Sequence, residues 1–286
     1  MIRQCFDLSA HRYEKSDRHR DACATTVIQT GREMKNEVGM GLRLLYAGCG
    51  PGQTLRALCD QSDLWSQILA VDFSAKVTEQ ARLALGLRMR SNLEVADLDF
   101  MRMHEYAGPT TMREFDLVAC LNNTLGNVVG KDISLASTER QRCVTEFLRV
   151  LRPGGKVILS VYNAEYFDAQ AMVRRRQYSR DLTLVTELSD FRRHDLVLRF
   201  NGTQLLFYSH WFSDIEVRKL LEDSGFVGVC IRKEGEGKPP VRFVGVGAKP
   251  IFSKNDTVVP YNASNTGGAA FGGSCKRTAE PIFCFA

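Results

Sequence analysis

Three glycines spaced two apart, Gly48, Gly50 and Gly52, stand between the apolar run Leu44-Leu45-Tyr46-Ala47 and the helically spaced Gln53-Thr54-Leu55-Arg56-Ala57-Leu58. Glycine lets backbone approach a ligand with no Cβ in the way, and it takes the positive φ values of a tight turn. A strand, a turn and a helix start in this order aim the first N–H groups of the helix at a bound molecule. A second apolar segment, Ile68-Leu69-Ala70-Val71, ends at Asp72, 20 residues beyond Gly52. At the tip of a neighbouring strand, that carboxylate can accept hydrogen bonds from ribose hydroxyls. A third segment, Leu93-Glu94-Val95-Ala96, ends at Asp97. A glycine turn alone can be a plain connector; with two strand-end acids following it in order, it describes a nucleoside pocket.

Two more groups of polar residues follow strand-like segments. Asn122-Asn123-Thr124-Leu125-Gly126-Asn127 follows the apolar run Phe115 to Leu121, and Tyr162-Asn163 follows the run Lys156 to Val161. Open parallel sheets bind ligands at the carboxyl ends of their strands, so both groups are expected to face one crevice. Asparagine brings a donor and an acceptor to such a place. It is also a normal turn residue, and an Asx-turn run is the competing reading.

Taken together, AGCGPG, the strand end VDFS, the segment VADLDF, the strand FDLVACLNN and the turn and strand LRPGGKVILSVYN resemble, in that order, the class I S-adenosylmethionine-dependent methyltransferases. The resemblance covers residues 42 to 249. It implies S-adenosyl-L-methionine as cofactor, held by the Gly48-Gly50-Gly52 turn, with Asp72 on the ribose and Phe73 stacked beside the adenine. It further implies that Asp97 meets the adenine amine and that the next N–H, at Leu98, meets a ring nitrogen. Phe73 can equally be core, and Asp97 can cap the following turn. One departure stands out: the family usually has an acid two places before the first glycine, and here that place holds Tyr46. The Asn122 end is expected to take the methionine moiety, and Asn123, Asn127, Tyr162 and Asn163 to line the acceptor side. Tyr13, on an N-terminal helix that often covers the pocket in similar proteins, is either a lid residue or an incidental aromatic on a solvated face.

A sulfonium methyl is already activated for in-line displacement, so alignment and water exclusion, worth about 7–11 kcal/mol, are the protein's main task. The chemistry calls for neither a metal nor a covalent nucleophile. A neutral histidine or a tyrosine near the acceptor can take its proton. His210 and Tyr208 are the candidates; alternation sends both to one face of a strand and Trp211 to the other. The expected reaction is methyl transfer to nitrogen or oxygen of a small molecule. The alternatives are RNA or protein methylation, or a catalytically silent binding subunit. A nicotinamide enzyme is disfavoured because its fingerprint, G-x-G-x-x-G, is absent here.

Composition narrows the partners. Charged residues make up 25% and hydrophobic residues 44%, as in an ordinary globular protein, and the mean hydropathy of −0.19 agrees. A net charge of +5, from 38 basic and 33 acidic residues, is too small to argue for nucleic acid. Arg174-Arg175-Arg176 is the one dense basic run and reads as a solvated helix end. Nine cysteines form no C-x-x-C pair, which suits a reducing compartment better than a disulfide framework. The amino-terminal residues have no signal-peptide core and no stretch has the length of a membrane span, so a cytoplasmic protein is expected. The oligomeric state is left open.

The elements that must position these residues follow from periodicity. An α/β fold is expected: a Rossmann-like doubly wound sheet, mostly parallel, with an antiparallel strand near the C-terminal edge. Residues 1–41 read as a helical cap with a helix over 16–36, residues 42–249 as the methyltransferase domain, and residues 250–286 as a weakly structured tail. Between about 164 and 212, segments at 182–186, 196–200 and 204–211, with Asn201-Gly202 as a two-residue hairpin turn, predict an inserted antiparallel lid over the acceptor. Thr138 to Gln141 and Ser213 to Glu216 read as capping boxes.

Overall fold

A computed structural model describes residues 18–86, 91–106, 114–129, 133–166, 177–179, 182–234 and 241–251. Within them a seven-stranded sheet carries the site. In chain order its strands are β1 (Leu42–Ala47), β2 (Trp65–Asp72), β3 (Leu93–Asp97), β4 (Phe115–Cys120), β5 (Leu151–Tyr162), β10 (Val227–Glu234) and β11 (Arg242–Ala248). The spatial order is β3-β2-β1-β4-β5-β11-β10. Strands β1 to β5 pair in parallel, and β11 runs antiparallel to both β5 and β10. Chain order reverses between β1 and β4, and that switch point is where an open α/β sheet forms its crevice. The fold is the expected Rossmann-like one.

The central strands are apolar throughout because both faces are covered. All six residues of β4 are buried, as are five of the six in β1. On one face lie the helices α1 (Arg18–Val38), α2 (Gln53–Cys59) and α3 (Ala75–Leu85), packing Val27, Met34, Leu55, Leu58 and Ala81 against Leu44, Leu117 and Ile158. On the other lie α4 (Ala136–Val150) and α5 (Asp214–Asp223), which bring Val144, Phe147, Val217 and Leu221 against Leu45, Val118 and Leu159.

A second sheet of four antiparallel strands follows β5: β6 (Gln177–Ser179), β7 (Leu182–Leu184), β8 (Asp195–Phe200) and β9 (Leu206–His210). This is the predicted insertion, with one more strand than expected. Asn201-Gly202 does not make a two-residue hairpin. Five residues join β8 to β9, and Phe200 N–H donates to Leu205 O at 3.1 Å across them.

Three local expectations shift as well. Among the described residues the first helix runs Arg18–Val38 and so ends two residues later than its periodicity suggested. Thr138 is not a cap: α4 starts at Ala136 with Leu135 before it and no side-chain cap bond. Pro153-Gly154 lies inside β5, where the pairing with β4 slips between Phe115 and Leu117. Tyr13, the Arg174–Arg176 run and the 252–286 tail lie outside the described residues. Among the described residues no helix is long and apolar enough to cross a membrane.

Candidate active site

The three glycines of the turn have three different jobs. All have positive φ: 68° at Gly48, 61° at Gly50 and 97° at Gly52. A Cβ on Gly48 would come within 2.2 Å of the Thr124 side chain, so this glycine lets the turn close on the segment after β4. A Cβ on Gly52 would come within 3.0 Å of the Ala81 backbone, so this one lets α3 pack. Only at Gly50 does a Cβ meet nothing within 4 Å. The collision expected at Gly48 is therefore with the protein itself, and Gly50 is the glycine that borders open space.

Asp72 closes that space from β2. Its Oδ2 accepts the Gly50 N–H at 3.2 Å and its Oδ1 the Ser74 N–H at 3.1 Å. Only 6% of the residue is exposed. Burial pushes its carboxyl up to about 6, against backbone N–H donors at Ser74, Gly50 and Phe73 that pull it down. A carboxylate has about four lone-pair sites, so these backbone donors leave it room for one more, and ribose hydroxyls are donors of the right kind. The cradle and the acid together fit a nucleoside ligand.

Asp97 ends β3 beside Asp72, its register partner. Its Oδ1 accepts from the Thr78 hydroxyl and, at 3.2 Å, from Arg82, and the residue is exposed. Phe73 is half-buried at the same edge. The Leu98 N–H, by contrast, donates to Asp72 O at 2.9 Å within the sheet and is not offered to a ring nitrogen. Tyr46 also departs from its expected place among the cofactor residues. It is 1% exposed, packed between α1 and α2, and its hydroxyl bonds Thr54. It forms wall beneath the crevice, and burial pushes its pKa up.

Past β4 the chain turns through two consecutive left-handed residues, Asn122 at φ 55° and Asn123 at φ 60°. Asparagine tolerates this region better than most residues. The turn sends the two side chains to different tasks. Asn122 Oδ1 accepts from Arg242 at 3.1 Å. Asn123 is 1% exposed: its Nδ2 donates to Ser209 Oγ at 3.3 Å and to His210 O at 3.2 Å, and its Oδ1 accepts the Tyr162 N–H at 3.0 Å. Asn123 therefore straps β5 and β9 to the end of β4 and is not placed to touch an acceptor. Asn163 is likewise fully buried, with Oδ1 on the Glu165 N–H at 2.8 Å as an Asx turn. Asn127 and Tyr162 remain half-buried, and the Tyr162 ring lies 5.1 Å from Trp211.

Tyr208 and His210 share one face of β9, as alternation requires, and both reach Asp195 of β8. That face is interior. His210 is 3% exposed; its Nδ1 lies 2.7 Å from Asp195 Oδ1 and its Nε2 2.8 Å from Glu216 Oε1. Burial lowers its pKa, but the two carboxylates more than offset this and the net shift is upward. With a carboxylate oxygen against each of them, both ring nitrogens are engaged within the protein and neither faces an acceptor. The Tyr208 hydroxyl sits between Asp195 and Arg140, the latter at 3.1 Å, and burial drives its pKa above the usual phenol range. The expectation of a proton acceptor at His210 or Tyr208 is corrected: they belong to a buried polar clamp. The clamp joins β8 and β9 to α4 through Arg140 and to α5 through Glu216.

Sequence reasoning passed over the other members of the clamp. Arg140 stood inside the Thr138 to Gln141 capping-box reading and Asp195 just before the 196–200 segment, with nothing local to mark either as part of a buried cluster. Glu216 was read as the acid of a capping box. Its N–H does donate to Ser213 Oγ at 3.2 Å, but its carboxylate goes to His210. Arg242, which meets Asn122, carried no signal at all. Among the described residues no group of His, Cys, Asp and Glu could hold a metal.

With this geometry in view, the comparisons with known proteins are specific about one thing. A family model described as "Methyltransferase domain" matches residues 45–159, the stretch from β1 to β5 that carries the glycine turn and both acids. No curated protein matches the sequence. Among solved structures, an S-adenosylmethionine-dependent methyltransferase from Clostridium acetobutylicum ATCC 824 aligns with a TM-score of 0.56 at 14% identity, covering 86% of this chain and 99% of that one. The Burkholderia thailandensis 1,6-didemethyltoxoflavin-N1-methyltransferase, with bound 1,6-didemethyltoxoflavin and S-adenosylhomocysteine, gives 0.54 at 14% identity, covering 87% of each chain. The N-methyltransferase NodS of Bradyrhizobium japonicum WM9, in complex with S-adenosylhomocysteine, gives 0.52 at 13%, covering 87% of this chain and 98% of that one. At these identities the likeness is one of fold.

Proposed function

We propose that the chain is a class I methyltransferase that transfers a methyl group from S-adenosyl-L-methionine to nitrogen or oxygen of a small-molecule acceptor; the match of residues 45–159 to a methyltransferase domain supports the reading. The observation that carries the reading is the pairing of Gly50 and Asp72. An open left-handed glycine donates to a buried carboxylate at the carboxyl edge of the sheet, which is what a ribose-bearing ligand needs. Bound there, S-adenosylmethionine supplies a methyl already activated on its sulfonium.

The chain's own part is positional. Asp72 accepts the ribose hydroxyls, Phe73 and the exposed Asp97 edge border the base, and Gly50 lets the backbone come close. The segment after β4, with Asn122, then faces the reacting end. Asn123 holds that segment against β5 and β9, so the crevice has a fixed floor. The lid sheet, tied down through the His210 clamp, excludes water from the acceptor side; positioning and exclusion are the terms such a displacement needs. Because His210 and Tyr208 are committed to the clamp, no side chain is assigned the acceptor's proton. Two of the similar structures are N-methyltransferases, which supports a small nitrogen nucleophile as the first acceptor class to try.

The test is a methyl-transfer screen with radiolabelled S-adenosylmethionine against amines, amino acids, phenols and RNA. Label in a small amine or phenol supports the reading; label only in RNA or protein replaces the acceptor class.

A further inference from the structure

Thr78 and Arg82 stand one turn apart on the same face of α3, and both reach the carboxylate of Asp97 at the end of β3. Thr78 is fully buried; its hydroxyl lies between Ala75 O, at 2.9 Å, and Asp97 Oδ1. Arg82 Nη2 donates to Val95 O at 2.7 Å and to Asp97 Oδ1 at 3.2 Å. The bond to Val95 anchors the guanidinium on β3 itself, so it meets Asp97 from a held position. Both donors fall on one oxygen, and Oδ2 carries neither. The last torsion of an aspartate turns easily; two donors on Oδ1, one of them buried, take that freedom away. The side chain is nevertheless 40% exposed, which leaves it accessible to a ligand. Its place is the nucleoside half of the crevice, since Asp97 pairs in register with Asp72, one strand spacing or about 5 Å further out. Burial is the main cause that raises the Cys49 thiol of the glycine turn, with smaller pushes upward from Asp72 and Asp97 and a pull downward from Arg82, so the Arg82–Asp97 pair acts on the turn itself.

We propose that Thr78 and Arg82 are positioning residues that hold Asp97 so that Oδ2 accepts from a 6-amino purine and discriminates against a 6-oxo purine. The inference rests on the methyl-transfer reading above and deepens it: the resemblance puts Asp97 beside the base, and the two α3 side chains determine which base it admits. Adenine turns an amino donor outward at position 6, where a 6-oxo purine turns an acceptor. An acceptor facing a carboxylate is repelled. The neighbouring N1–H of the 6-oxo base is a donor, however, and a carboxylate free to rotate would follow it. With Oδ1 pinned, Oδ2 keeps its direction and the 6-oxo base meets acceptor against acceptor. A site built to receive a donor rejects an analogue lacking it more strongly than shape alone allows.

The test is calorimetric binding of S-adenosylhomocysteine and S-inosylhomocysteine, which differ only at position 6 of the base and in the N1 proton. A hydrogen bond to a charged group is worth about tenfold or more in binding, so the wild type should prefer the adenosyl compound by at least that factor. Thr78→Val, which keeps the shape and removes the hydroxyl, and Arg82→Gln should each narrow the ratio at least about threefold. The double variant should bring it near unity, and Thr78→Ser should keep it. Arg82→Gln supplies the answer if Thr78→Val fails to fold, because a half-exposed ion pair holds little stability. Equal affinity of the wild type for both compounds overturns the proposal, as does a ratio that survives in Arg82→Gln and in the double variant. A ratio lost in Thr78→Ser as fully as in Thr78→Val also overturns it, making Thr78 a packing residue. Binding of S-adenosylhomocysteine with an unmoved ratio contradicts this inference alone. Failure of the wild type to bind S-adenosylhomocysteine at all contradicts the methyl-transfer reading as well.

Discussion

The Gly50 N–H donates to Asp72 Oδ2 at 3.2 Å, joining the turn after β1 to the tip of β2 across the place where a ribose would sit. On the proposed reading this contact makes the turn a binding element as well as a connector, and it sets how ligand affinity should respond to pH. Ribose hydroxyls donating to Asp72 favour the charged carboxylate, so the complex should have a lower carboxyl pKa than the free protein's value of about 6. Binding then releases a proton at low pH. Affinity for S-adenosylhomocysteine should be level above about pH 7 and fall toward tenfold per unit below about pH 6. In Asp72→Asn it should be weaker and lack that slope; calorimetry across the pH range reads both.

Gly48 and Gly50 should fail differently when given a Cβ. Gly48→Ala forces a contact with Thr124 and strains a positive φ, so it should lower Tm, with overpacking alone costing about 1–3 kcal/mol. Gly50→Ala meets no protein atom and should cost only the left-handed strain of about 1–2 kcal/mol, while losing affinity for S-adenosylhomocysteine. Equal affinity in Gly50→Ala and wild type would return the turn to the role of a connector.

Asn123 should behave as a strap. Truncation to alanine leaves the Tyr162 N–H and the His210 carbonyl without their partner, at about 1–3 kcal/mol for each buried group left unsatisfied. Thermal unfolding should register that loss. Limited proteolysis should find the β8–β9 region cut sooner in Asn123→Ala than in wild type. A variant with normal stability and a raised acceptor KM would instead return Asn123 to the acceptor site.

The clamp around His210 carries its own pH signature. The histidine's pKa is raised, so its contribution to stability is present below the ordinary imidazole value and is lost as pH rises through the folded one. Asp195 is shifted the other way. Burial pushes its carboxyl up, the bonds from His210 and Tyr208 pull it down further, and the net is downward. Its contribution is present above the ordinary aspartate value and lost as pH falls through the lowered one. Stability should therefore be greatest between these limits, and Asp195→Ala, which leaves a buried imidazole half-paired, should cost on the order of 3–5 kcal/mol. The pH dependence of Tm in wild type and His210→Gln tests this. The same alkaline fall in both would place the titrating group elsewhere.

What the sequence made legible was local. The glycine spacing, the strand-end acids and the apolar runs are read within a few residues of each other, and they place Gly50 and Asp72 at one crevice. Continuous burial of β1 and β4 on two faces leaves the same mark in their unbroken apolar character. The acceptor half was not legible, because long-range contacts decide it. Asn122 and Asn123 look equivalent in the chain, and only a pair of left-handed residues turns one toward Arg242 and buries the other under β9. His210 looked like a base because its partners lie 15 residues before it, 6 after it and, through Tyr208, on Arg140. No window of alternation contains those carboxylates.

The central claim is that the cradle between Gly50 and Asp72 binds S-adenosylmethionine. Its most direct test is calorimetric titration of S-adenosylmethionine, S-adenosylhomocysteine and NADH into the wild type and into folded Asp72→Ala. The account predicts one site for each sulfur nucleoside, no binding of NADH, and affinity lowered about tenfold or more in the variant, the worth of charge-assisted bonds to the ribose. Binding of NADH without S-adenosylhomocysteine, or equal affinity for S-adenosylhomocysteine in Asp72→Ala and wild type, would contradict it.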